Sequence, residues 1–271
     1  MNTPRQPADH PSLQPQPPSR ALLTMFNWYI WWYLWLHFRG LRVANAKRLS
    51  AAPIPTIVFL NHASWWDPLV CIRIAQRLLP DHDHYAPMDA VAMRRYGFFR
   101  RLGLFPVELG STRGATAFLR MAQAIVQRAG AWLWMTPQGR FTDVRQRPIR
   151  FMSGLGALAH RLPQCRLIPV AIEYAFWDER LPEILVHVGE PILSSDGSQK
   201  SSHEWTSILE QSMASTQEQL SQLVQTRNPD CFATFSLRDV GVGGIYQLWL
   251  RLQARAKGKV FHPEHRGIDR A

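Results

Sequence analysis

The chain has 271 residues, 46% of them hydrophobic, which is enough for one large α/β domain or two small ones and excludes disorder throughout. A formal charge of +11 calls for an anionic partner such as nucleic acid, a phospholipid surface or a phosphorylated substrate, without choosing among them. Cys71, Cys165 and Cys231 form no C-x-x-C pair, which excludes the usual zinc and thiol-redox motifs and fits a reducing compartment.

Residues 1–20 hold Pro4, Pro7, Pro11, Pro15, Pro17 and Pro18 among polar residues, the composition of a disordered tail. The prolines and the lack of a small-residue cleavage site argue against a secretory signal. Residues 21–38 carry no charge and are bracketed by Arg20 and Arg39. That length is at the lower limit for crossing a bilayer, so the segment can span a membrane or lie along it. Trp28, Trp31, Trp32 and Trp35 run through its middle together with Asn27, which favours an interfacial or re-entrant helix. A helix packed on the protein's own core is the competing reading. Arg39, Arg42, Lys47 and Arg48 follow at once, as an anionic leaflet favours, so 21–50 reads as a membrane-associated aromatic helix and basic linker.

From about residue 51 to 230, short apolar runs alternate with longer amphipathic ones, the pattern of an α/β domain with a mixed sheet flanked by helices. Predicted strands are 56–60, 84–87, 104–108, 131–135, 167–174 and 184–188; predicted helices are 69–79, 90–101, 112–128, 154–161 and 203–226. Residues 231–271 include Gly241-Val242-Gly243-Gly244 and an amphipathic run ending in Arg251, Arg255, Lys257 and Lys259. This C-terminal basic segment is either a second surface anchor or a solvated helix face.

The first predicted strand delivers Asn61 and His62 to a loop at its carboxyl end, where open α/β sheets place ligands. Along a regular helix, His62 and Asp67 would lie about 140° apart. A loop-to-helix junction removes that objection. Either Ser64 caps a helix with Asp67 at its third position, or Asp67 caps a helix opened by Pro68. In both cases the Asp67 carboxylate can fix the His62 tautomer and leave the other nitrogen free to take a proton. Spacing alone also allows a plain cap beside a loop histidine.

Asn61-His62-x-Ser64-x-x-Asp67 resembles the H-x-x-x-x-D signature of the glycerolipid acyltransferase family, whose bacterial members include 1-acylglycerol-3-phosphate acyltransferases. Further blocks follow in the family's order. Gly103-Leu104-Phe105-Pro106-Val107-Glu108 stands where the second motif falls, and Thr136-Pro137-Gln138-Gly139-Arg140 resembles the F-P-E-G-T-R third motif. Phe151 to Gly154 stands where members carry F-K-x-G, and Leu167-Ile168-Pro169-Val170-Ala171-Ile172 resembles the fourth motif, V-P-V-A-I. The resemblance covers roughly 55–192 and implies His62 as general base, Asp67 as its orienting carboxylate, and Asn61, Ser64, Arg113, Gln138, Gly139 and Arg140 around the substrate.

Several residues depart from that pattern. Gln138 replaces a glutamate, Phe141 occupies the place of an arginine implicated in holding the acceptor phosphate, and Leu109 stands where an arginine is common. Arg140, Arg145, Arg147 and Arg150 can rebuild a phosphate site with a shift of register, or they form a solvated patch.

The implied reaction moves an acyl group from acyl-CoA or acyl carrier protein to a lysophospholipid or related lipid at the cytoplasmic face of the inner membrane. It needs no metal or other cofactor. A non-phosphorylated acceptor such as a glycolipid or carotenoid glycoside, or an inactive membrane-binding module, is the alternative. A hydrolase acting through Ser64 lacks G-x-S-x-G and has poor geometry. A nucleic-acid partner is not expected, since no helix-turn-helix, zinc or RNP pattern appears.

Overall fold

The computed structural model describes residues 15–197 and 199–238. In chain order these form α1 (Arg20–His37), β1 (Gly40–Ala44), β2 (Thr56–Leu60), α2 (Asp67–Leu78), β3 (Asp83–Asp89), α3 (Ala90–Arg95), β4 (Leu104–Val107), α4 (Thr112–Val126), β5 (Ala131–Met135), α5 (Gly154–Arg161), β6 (Arg166–Ala175), β7 (Glu183–Val188), β8 (Ile192–Leu193), α6 (Ser202–Thr226) and β9 (Ala233–Leu237). Among the described residues nine strands make one mixed sheet in the order β4-β3-β5-β2-β6-β7-β1-β9, with β8 paired to β6. β4, β3, β5, β2 and β6 run parallel; β7 returns antiparallel to β6, β1 lies parallel to β7, and β9 is antiparallel to β1.

The strand side chains alternate between two helical layers because the strand period is two. In β2, Val58 and Leu60 face the core shared with Ile30 and Leu34 of α1 and Val70 and Ile74 of α2. Ile57 and Phe59 face the opposite core with Phe118 of α4, Leu155 and Leu158 of α5, and Trp205 and Leu209 of α6. Both faces are covered, so β2, β5 and β7 are buried along their whole lengths; β2 and β5 read as apolar runs, whereas β7 also buries Glu183 and His187. One cap and one small residue set α6 and its neighbour: Ser201 and Glu204 make a reciprocal capping box, and Gly156 lets α5 approach α6, where a Cβ would meet Thr206 Oγ1 at 2.1 Å.

The structure corrects several sequence expectations. Gly40–Ala44, read as part of a basic linker, is a strand buried at every position. Arg39 and Arg42 are 4% and 3% exposed and face no leaflet. Glu183 holds them, with Arg42 Nε donating to Oε2 at 3.1 Å and Arg39 Nη1 lying 3.6 Å from Oε1. Lys47 and Arg48 lie beyond the far end of β1, at the end of the sheet opposite His62, since β1 runs counter to β2. Arg48 there donates to Val188 O at 2.8 Å and pairs with Glu190.

Other corrections concern the ends and one helix. Within the expected tail, Ser19 N–H donates to Arg101 O at 2.7 Å and Arg128 donates to Pro15 O at 2.6 Å, so residues 15–19 lie along the domain. Residues 1–14 of that tail and residues 239–271 of the C-terminal basic segment fall outside the described residues; the first part of that segment, Ala233–Leu237, is β9. The helix expected over 90–101 ends at Arg95; Tyr96 leaves helical angles before Gly97, and a 3-10 helix, Gly97–Leu102, follows.

The aromatic segment is helical, and α1 packs one face on the core through Leu23, Ile30 and Leu34. Each of these burials contributes roughly 1.5–3 kcal/mol. Asn27 faces α2, where its Oδ1 accepts from Arg73 at 3.2 Å. The other face leaves Met25 and Trp28 67% and 69% exposed, with Trp31, Trp32 and Trp35 also outward. No helix among the described residues is long and apolar enough to cross a membrane.

Candidate active site

β2 ends at Leu60, and the next residue turns inward. Asn61 is buried; its Oδ1 accepts from Ile172 N at 2.8 Å and its Nδ2 donates to Ile172 O at 3.0 Å, tying the loop to β6 like an extra ladder rung. The chain then turns and enters α2 at Asp67, with Pro68 next. Asp67 Oδ2 accepts from Ser64 N at 3.0 Å, while Trp66 N donates to Ser64 Oγ at 3.4 Å and Asp67 N to Ser64 O at 3.2 Å. Neither local reading holds: Trp66 is the residue that precedes α2 and no side chain caps it, while the Asp67 carboxylate reaches back to the Ser64 N–H, the carboxylate half of a capping box.

The same turn brings His62 Nδ1 to 2.9 Å from Asp67 Oδ2. Asp67 is fully buried, and an ionised carboxylate only accepts, so Nδ1 carries the proton and Nε2 presents a lone pair. No hydrogen bond among the described residues engages Nε2.

The second carboxylate oxygen has a partner that sequence reasoning missed. Tyr174 Oη donates to Asp67 Oδ1 at 2.6 Å. Burial raises the phenol pKa far above its ordinary value, and the Asp67 charge raises it further, so Tyr174 remains a donor. The available signal was strand alternation: Val170, Ile172 and Tyr174 share one face of β6, and the row ends in a hydroxyl directed toward the start of α2. Tyr174→Phe is expected to lower kcat about tenfold with KM unchanged, the equivalent of one lost hydrogen bond to a charged group. Steady-state kinetics with saturating acceptor checks this; an unchanged kcat removes Tyr174 from the site. One turn along α2, Cys71 is held as a neutral thiol, its pKa raised by burial and then by Asp67.

The loop after β5 grips the histidine from the other side. Gln138 Oε1 accepts from His62 N at 2.7 Å, and Thr142 N donates to His62 O at 2.8 Å. Gly139 occupies the left-handed region at φ +66, where a Cβ would meet Met152 Sδ at 2.4 Å. Its N–H is spent on Thr136 O at 3.1 Å, whereas Gln138 N–H, Arg140 N–H and Phe141 N–H have no hydrogen-bond partner among the described residues. Phe141 stands over the imidazole, ring centroids 4.4 Å apart, while remaining 59% exposed.

The arginines divide into two groups. Arg145 is committed to Asp143 through bonds of 2.9 and 2.7 Å, Arg147 to Val144 O at 2.9 Å, and Arg150 lies 3.5 Å from Glu210. Arg140 and Arg113 are exposed, and no ion pair among the described residues engages their guanidinium groups. The structure thus brings Asn61, His62, Ser64, Asp67 and Gln138 together, with Gly139 and Arg140 on the adjoining turn. Arg113, in the first turn of α4, makes no hydrogen bond or ion pair with any of them. Among the described residues no group of His, Cys, Asp and Glu is placed to hold a metal ion.

A family model described as Acyltransferase matches residues 40–173. Residues 40–173 belong to the acyltransferase family. In this acyltransferase the matched span opens on β1 and closes one residue before Tyr174, so the pairing of Tyr174 with Asp67 lies at its edge. The fold is similar to that of the 1-acyl-sn-glycerophosphate (LPA) acyltransferase PlsC from Thermotoga maritima, at TM-score 0.50 and 13% identity over 74% of this chain and 80% of that one. No curated protein matches the acyltransferase in sequence.

Proposed function

We propose that the chain transfers a fatty acyl group from a thioester of coenzyme A or acyl carrier protein to a hydroxyl of a lysophospholipid or related lipid at the cytoplasmic face of the inner membrane. The observation that carries this is the 2.9 Å bond from His62 Nδ1 to a fully buried Asp67, with Nε2 uncommitted. His62 Nε2 accepts the proton of the acceptor hydroxyl as its oxygen attacks the thioester carbonyl. Asp67 stabilises the imidazolium that forms, and Tyr174 and the Ser64 N–H hold Asp67 in place. Collapse of the tetrahedral intermediate expels the thiolate, which takes the proton from His62. The products are an ester and a free thiol, and the histidine is again neutral. The exposed aromatic face of α1 supports attachment to the membrane interface, where Trp and Tyr gather at the headgroup level.

Arg140 and Arg113, exposed and paired with no carboxylate among the described residues, support an acceptor bearing phosphate. A second reading, an uncharged lipid alcohol, is favoured by Phe141, whose ring covers His62 in the place where the family pattern has an arginine. The test uses purified protein in detergent with labelled acyl thioester, comparing lysophosphatidic acid with a monoacylglycerol. The phosphate-bearing acceptor is expected to win, and Arg140→Ala to lower kcat/KM for it about tenfold while sparing the neutral one, the loss of a charge-assisted contact. Equal use of both acceptors by the unaltered protein supports the second reading. No ester from either, with either donor, sinks the proposal.

A further inference from the structure

The buried Arg39 and Arg42 leave open which cations meet the surrounding medium near α1. Among the described residues, one exposed group of arginines without ion pairs lies on α3 and the 3-10 helix Gly97–Leu102. Arg94, Arg95, Arg100 and Arg101 are all exposed. No ion pair among the described residues engages any of the four, and Arg95 lies 5.5 Å over the ring of Tyr96. Asp89, the carboxylate at the start of α3, is occupied as a helix cap, accepting from Val91 N and Ala92 N at 2.9 Å each. Large apolar side chains stand among the arginines, with Val91 65% and Phe98 45% exposed. Burial of such groups in the domain core is the usual outcome, so basic and apolar side chains sharing one outward face mark a contact surface.

That face is continuous with α1 and with the catalytic loop. Phe98 and Phe99 lie edge-on to Phe26 at 6.1 and 6.4 Å, and Phe26 stacks on Tyr29 at 5.9 Å. Tyr29 stacks on Tyr33 at 5.5 Å, and Tyr33 meets Trp65 at 6.5 Å. Trp65, between His62 and Asp67 in the chain, is itself 61% exposed. One aromatic band therefore runs from the arginine cluster to the turn that carries the histidine.

We infer that the arginines of α3 and the following 3-10 helix are the chain's contact with negatively charged lipid headgroups, and that they seat the aromatic band and the catalytic loop on an anionic leaflet. The inference rests on the membrane reading proposed above and adds the lipid class and the residues that recognise it. Guanidinium groups suit bidentate contact with phosphate esters, and the aromatic rings suit the headgroup region beneath them. An acidic carrier protein would pair with the arginines alone and make no use of the contiguous band, so the lipid surface is favoured.

Each cation held near an anionic leaflet multiplies affinity roughly fivefold, and four together, after salt screening, on the order of a hundredfold. The test is flotation of the full chain with vesicles of phosphatidylcholine alone and of equal parts phosphatidylcholine and phosphatidylglycerol. The unaltered protein is expected to bind both, and the anionic vesicles at least about tenfold tighter. Replacing Arg94, Arg95, Arg100 and Arg101 together by glutamine removes that difference and leaves binding at the phosphatidylcholine level, while four lysines at the same positions retain it. A thermal unfolding curve shared by the three proteins shows that the fold is intact. If the glutamine variant keeps the preference, the inference is overturned. It is overturned equally if that variant binds vesicles normally and loses transfer only from acyl carrier protein, the arginines then being a carrier-docking site. Wild-type binding that is equal on both vesicles defeats this inference alone, whereas binding to neither defeats the membrane reading with it.

Discussion

His62→Ala is expected to lower acyl transfer by a factor on the order of 10²–10⁴, the range for removing a positioned general base. The size follows from what the substitution leaves behind. The backbone contacts that shape the turn, Gln138 Oε1 to His62 N at 2.7 Å and Thr142 N to His62 O at 2.8 Å, do not involve the imidazole and survive it. Asp67 keeps its bonds from Ser64 N and Tyr174 Oη. The variant therefore stays folded, with a stability change within about 1 kcal/mol, and acceptor binding is retained while the hydroxyl has no base. Single-turnover measurements with labelled acyl thioester, alongside a thermal melt, separate the two effects. Ester formed at an undiminished rate by a folded variant would remove His62 as the base.

The largest effect on stability is expected from Glu183→Ala. Glu183 is 3% exposed at the start of β7, and Arg39 and Arg42, at 4% and 3%, lean on the same carboxylate. Arg42 also donates to Thr234 Oγ1 at 3.1 Å and lies 5.5 Å over the Trp177 ring, so the group links β1, β7 and β9. Removing one partner of a buried ion pair costs about 3–5 kcal/mol, because the remaining charge is left desolvated without compensation. For a domain of this size that corresponds to a fall in Tm of about 10 °C. A denaturation midpoint within experimental error of the unaltered protein would show that the arginines do not depend on Glu183. Replacing the whole group by apolar residues is a different experiment, since well-packed hydrophobic substitutes can match a buried ion cluster in stability.

That cluster also explains where sequence reasoning stopped. β2 and β5 were legible to the residue because they are buried on both faces and read as unbroken apolar runs. β1 was not, because Gly40-Leu41-Arg42-Val43-Ala44 places an arginine at its centre, and the carboxylate that makes its burial tolerable stands 141 residues later. β9 pairs with β1 and depends on the same edge, so it was missed with it. The helix over 90–101 looked continuous because its apolar spacing is; only the conformation at Tyr96, before Gly97, divides it.

The site shows the same division between local and distant information. The approach of His62 to Asp67 is encoded within a single turn, in the Ser64 N–H that the Asp67 carboxylate accepts from and in Pro68, and the family resemblance pointed to it. The Tyr174 contact spans 107 residues; strand alternation assigns Tyr174 its face of β6, but nothing local names Asp67 as its partner. Asn27 was read as a sign of the membrane interface, whereas it faces Arg73 on α2; a polar residue in an apolar helix carries no label for which neighbour will satisfy it.

Gln138 has one more consequence. The glutamine that stands where the family pattern has a glutamate anchors the His62 backbone through a neutral carbonyl oxygen. A carboxylate at that point would gain and lose charge with acidity, and the turn would loosen or tighten with it. The amide has no such dependence, so the frame that aims the histidine keeps the same shape across the working range of acidity, and only the groups it aims respond to protons.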